Sequence, residues 1–127
     1  MGTNDILMGH QVGTLLANLQ SLLDVIKAGL PNTTTTIVGS IINRNANDSY
    51  PVLTGYNAAL PSFVANQTGM RAYFADVNRR SNWCVDARAG FPCTGLHPTT
   101  AGYGGMAMAW FEVLAPLLPI VNTSAVL

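Results

Sequence analysis

An α/β fold on a parallel sheet is predicted by three observations. Apolar residues recur at helical spacing through residues 11–29, a β-branched apolar run follows at 34–42, and a second helix and a second strand come in the same order before a final helix. Strands that alternate with helices are joined by crossovers, and crossovers put parallel strands in one sheet with helices over its faces.

Each element has its own signal. Val12, Leu15, Leu16, Leu19, Leu22, Leu23, Ile26 and Leu30 fall at 3.6-residue spacing and predict an amphipathic helix, with Gly29 and Pro31 as its stop. Thr34 to Ile42 reads as a buried parallel strand, which would enclose the Ser40 hydroxyl in the sheet. Asn43 to Tyr50 is polar and turn-rich, hence a loop. Val52 to Gln67 fits a second helix that Pro61 should kink or break, and Met70 to Val77 reads as the second strand. Asn78 to Leu96 is a long loop, of the kind that usually carries function. The last helix spans about 99–115, with Met106, Trp110, Val113 and Leu114 on one face. Two strands are few for a parallel sheet, and a further strand is expected ahead of Gly2.

Composition narrows the function. The chain has 127 residues, enough for a single domain over 1–127, with 49% hydrophobic and 9% charged residues. Six basic and six acidic side chains cancel, and Arg79-Arg80 reads as a solvated turn. Without a basic stripe to neutralise phosphates, nucleic acid is not the expected partner. The most apolar run, Met106 to Val121, is interrupted by Glu112, Pro116 and Pro119, so it reads as a core helix and not as a membrane span. His, Asp and Glu are scattered without ligand spacing, and Gly102-Tyr103-Gly104-Gly105 does not follow a strand. Neither a metal nor a nucleotide cofactor is expected. Those glycines read instead as allowing close packing of the last helix on the sheet.

Sequons stand at Asn32, Asn47, Asn66 and Asn122, and with two cysteines and a single lysine they favour a secreted, extracellular protein. Cys84 and Cys93 bracket a short Gly- and Pro-containing loop. A disulfide there would remove about 2–3 kcal/mol of unfolded-state entropy; two unrelated buried thiols are the other reading. The start, Met-Gly-Thr-Asn-Asp, has neither the basic nor the apolar region of a leader peptide, so the expected N-terminus is not the ancestral one.

Two short motifs carry the chemistry. Gly2-Thr3-Asn4-Asp5 opens the chain, and Gly95-Leu96-His97-Pro98-Thr99-Thr100-Ala101-Gly102-Tyr103 leads into the last helix. In this order they resemble the third and fifth sequence blocks of the SGNH (GDSL-type) esterases. The resemblance implies a three-layer α/β/α, flavodoxin-like fold, of which this chain would hold roughly the C-terminal two-thirds, with the N-terminal strand or strands missing. It implies a serine ester hydrolase that needs no cofactor. Its substrate would be a small ester or an acylated carbohydrate, closest to the deacetylases of plant polysaccharides, with lipid acyl esters the other option.

Carried onto this sequence, His97 would be the general base and Asn4 an oxyanion donor, the latter worth about 3–4 kcal/mol in comparable sites. An Asx turn is the plain alternative for Asn4. Gly2 and Asp5 would support the loop. A position ahead of a helix start would also help keep the His97 imidazole neutral. His10, next to Gly9, has no partner motif and reads as an ordinary loop residue. Two departures stand out. None of Ser21, Ser40, Ser49, Ser62, Ser81 and Ser124 lies in a Gly-Asp-Ser context, so the nucleophile is expected upstream of Met1. Thr94 stands where the family has an aspartate, leaving either Thr94 or Asp86 to orient the imidazole. A different reading is a non-catalytic remnant that binds a carbohydrate or a partner protein, or self-associates through an exposed sheet edge.

Overall fold

A computed structural model of the chain describes residues 6, 8–42, 51–80 and 98–118. The order is α1 (Val12–Gly29), β1 (Thr35–Gly39), α2 (Pro51–Ala65), β2 (Arg71–Ala75), α3 (Val77–Arg80), α4 (Thr100–Leu114) and a 3-10 turn (Ala115–Leu117). β1 and β2 pair in parallel, from Thr35 opposite Arg71 to Gly39 opposite Ala75. The predicted α/β class and its parallel sheet are therefore present.

Alternation along the strands divides the core between the two faces of the sheet. On one face Val38 joins Leu15, Leu19 and Leu23 of α1 and Tyr56, Leu60 and Val64 of α2, with Ala72 and Phe74 packed against them. On the other face Ala75 joins Val77 and Ala109, with Ile37, Met106 and Val113 beside them. Helices thus cover both sides of the sheet, giving three layers.

Several boundaries differ from expectation. β1 stops at Gly39 because the next backbone groups turn to other partners: Ser40 N–H still reaches Ala75 O at 3.0 Å, but Ile41 is held by a side chain of α2. β2 stops at Ala75 because Asp76 caps α3, its Oδ1 accepting from Arg79 N–H at 3.1 Å. The expected loop from Asn78 onward therefore begins as the helix α3. Pro61 does not break α2, which continues to Ala65 with Pro61 on its exposed side. The buried positions Leu53, Tyr56, Leu60 and Val64 run past it on the other side, so packing outweighs one missing helix bond.

Two faces also depart from the sequence reading. Leu22 and Leu30 of the α1 stripe are 42% and 50% exposed, since the stripe is wider than the surface available to cover it. On α4 the face against the sheet is Gly102, Met106, Ala109 and Val113, while Leu114 points largely outward. Trp110 is 37% exposed, yet the tip of its indole lies over Gly39. A Cβ on Gly39 would stand 2.7 Å from Trp110 Cη2, so the close approach of α4 depends on that glycine. Gly104 plays no such part, because a Cβ there would meet open space.

Candidate active site

In open α/β sheets, sites form beyond the carboxyl ends of the strands. Here that end is fastened by side chains. Ser40 is buried just past β1; its Oγ donates to Asp76 Oδ1 at 3.2 Å and accepts from Asn78 N–H at 2.8 Å. Asp76 Oδ1 accepts from Arg79 N–H as well, so one serine and one aspartate join the ends of β1 and β2 to the start of α3. A second clamp comes from α2. Asn57 Oδ1 accepts from Ile41 N–H at 2.9 Å, and Asn57 Nδ2 donates to Ile41 O at 2.7 Å. The side-chain amide thereby replaces the strand that would otherwise pair with Ile41.

Beyond these clamps, Asp76, Arg79, Arg80, Ala109, Glu112 and Val113 line a polar cleft of about 130 Å³ between α3 and α4. Arg80 and Glu112 form an ion pair across it, with both side chains about half exposed. Arg80 is thus engaged with α4 and is not merely a solvated turn. At the head of α4, Thr99 is the N-cap, accepting from Gly102 N–H through its side chain at 3.2 Å. His97 directly precedes Pro98 and this cap in the sequence.

The residues nominated for chemistry are not among those the structure describes. Gly2, Asn4, Asp5, Asp86, Thr94 and His97 lie outside the described residues, as do Cys84, Cys93, Asn47 and Asn122. No disulfide occurs among the described residues, which include neither cysteine. The sequons at Asn32 and Asn66 are described, and both asparagines are exposed. His10 is partly buried just ahead of α1. Among the described residues no cluster of His, Cys, Asp and Glu could hold a metal, and no helix is long and apolar enough to cross a membrane.

Ser40 is the one serine at the carboxyl ends of the described strands, and its geometry argues against a nucleophilic role. It is 7% exposed, and its hydroxyl is engaged both as donor and as acceptor. Sequence reading missed Asn57 and Asp76. For Asp76 a signal existed, an aspartate between a strand and a short polar helix; for Asn57 there was none.

With this geometry in hand, known structures give a match. The chain is similar to the crystal structure of a carbohydrate esterase of family 3 from Talaromyces cellulolyticus, with 25% identity, a TM-score of 0.74, and coverage of 92% of this chain and 55% of the other. It is similar too to an acetyl esterase solved as a serine-to-alanine mutant with acetate ion, at 24% identity and a TM-score of 0.73, again over 92% and 55% of the two chains. This is part of a flavodoxin-like esterase fold. The chain spans about half the length of either esterase. No protein-family model and no curated protein matches the chain. In this chain Ser40, Asp76 and Asn57 tie down the carboxyl ends of the two strands.

Proposed function

We propose that this chain is the histidine-bearing portion of a secreted serine ester hydrolase that removes acyl groups, acetyl above all, from carbohydrate. The observation that carries the reading is the shared fold with a carbohydrate esterase and an acetyl esterase. Supporting it, Gly2-x-Asn4-Asp5 and Gly95-Leu96-His97-Pro98-Thr99 occur in the order that SGNH esterases have them. The nucleophilic serine is supplied by polypeptide outside these 127 residues.

The chemistry assigns each residue a task. The serine Oγ attacks the ester carbonyl while His97 takes its proton. The negative charge that develops on the carbonyl oxygen is met by an N–H of Asn4. Collapse expels the sugar hydroxyl, which leaves with the proton from His97. Water, activated by the same imidazole, then cleaves the acyl-enzyme and regenerates the serine. Asp86 or Thr94 orients the ring; the carboxylate would also stabilise imidazolium by charge, whereas the hydroxyl would only hydrogen-bond it.

The test is hydrolysis of p-nitrophenyl acetate and acetylated xylan, by the 127-residue chain and by a form extended upstream through a Gly-Asp-Ser block. The extended form should turn over both substrates, and His97→Ala should lower its kcat by on the order of 10⁶-fold. The 127-residue chain should stay near background. Undiminished turnover in His97→Ala would overturn the reading.

One observation favours a second role, as a binding module. The edge of β1 away from β2 has no strand partner among the described residues. Beside it Leu19, Leu22, Leu23 and Ile26 of α1 and residues 36–39 of β1 line a groove of about 290 Å³. Such an edge can accept a strand from another chain.

A further inference from the structure

We infer that Asn32 and Asn66 carry N-linked glycans, both at the pole of the sheet opposite the one where the active site is built. The inference rests on the extracellular reading above. Parallel strands share one polarity, so the turns that lead into β1 and β2 lie at the same end of the molecule. Asn32 lies in the turn ahead of Thr35, and Asn66 in the turn between α2 and Arg71. The two turns meet: Asn32, Thr34, Gly69 and Met70 line one small cleft with Lys27, whose Nζ donates to Thr68 O at 2.8 Å.

A glycan is bulky and hydrated, so the asparagine that bears it must be exposed in the folded chain. Both asparagines are exposed, and among the described residues neither side-chain amide is engaged in a hydrogen bond. Thr34 and Thr68 supply the hydroxyls that complete the two acceptor motifs. By contrast Asn57, which lacks such a motif, has its amide occupied by Ile41. The donor is a polyprenyl-diphosphate-linked oligosaccharide. The asparagine side-chain nitrogen forms a bond to the sugar C1, the bond from C1 to the diphosphate oxygen breaks, the amide gives up one proton, and the lipid diphosphate leaves. Glycans placed there would shield the amino ends of the strands and leave the Ser40–Asp76 end open to a polymeric substrate.

The experiment is cell-free translation of the full 127-residue chain behind a cleavable leader, with microsomes present. Translocated chain is identified by protease protection, and glycans are removed enzymatically in heavy-oxygen water. Mass spectrometry should then find labelled aspartate at positions 32 and 66. Asn32→Gln and Thr34→Ala should each abolish the mark at 32, and Thr68→Ala the mark at 66, each with the loss of one gel step. A translocated chain unmodified at both positions overturns the inference. Ester hydrolysis is not read in this experiment, so failure of the esterase reading and failure of this one are separately visible.

Discussion

Replacing Ser40 by alanine removes two part-buried hydrogen bonds at once, the one from Asn78 N–H at 2.8 Å and the one to Asp76 at 3.2 Å. Each such bond contributes about 0.5–1.5 kcal/mol, so Ser40→Ala should lower the denaturant midpoint by an amount corresponding to about 1–3 kcal/mol. In the extended form, turnover per folded molecule should remain, because the hydroxyl ties the framework together and is not the nucleophile. A variant that keeps its stability and loses its turnover would contradict this assignment. At the same scale, His97 and Asn4 were nominated because their neighbours form motifs, and both lie outside the described residues. Asn57 was not, because a side chain that mimics a strand looks in sequence like any other helical asparagine.

At the scale of elements, α4 is seated by the contact of Trp110 with Gly39. A methyl at position 39 would meet Trp110 Cη2 at 2.7 Å, Trp110 Cζ2 at 2.8 Å and Val77 Cγ2 at 3.0 Å. Such overpacking costs about 1–3 kcal/mol, and Gly39→Ala should lower Tm, with a change in tryptophan emission as the indole is pushed off the sheet. An unchanged Tm would mean that α4 shifts without penalty. The elements themselves were largely readable. α1 has a one-sided apolar period, with Leu15, Leu19 and Leu23 buried as that period requires. α4 is apolar around most of its circumference, so the sequence could not choose between Trp110 and Ala109 as the inward residue. Strand ends were misplaced for another reason: the capping Asp76, whose signal was in the sequence, and the clamping Asn57, which had none, decide where β2 and β1 stop.

The molecule as a whole exposes surface that usually lies inside an α/β/α sandwich. Besides the edge of β1, which has no strand partner among the described residues, α4 presents Tyr103 and Phe111 outward, and Leu118 follows the 3-10 turn, each more than half exposed. β1 carries no charged residue or proline to discourage pairing, and net charge is zero. The 127-residue chain alone should therefore run as a dimer or larger species in light scattering coupled to size exclusion, and Ile37→Lys should reduce that mass; a clean monomer for the parent chain would count against an adhesive edge. The division of the core has a further consequence. Among the described residues, seven buried residues join β1 to α1 and α2, and three hold α4 to the other face. Between the two groups lies a sheet that is two strands wide among the described residues. Amide exchange should therefore be faster in α4 than in α1 and α2, with the smaller group opening while the larger stays closed. The helix that follows His97 in sequence belongs to the smaller group, so the residue proposed as the base is joined to the element expected to let go first.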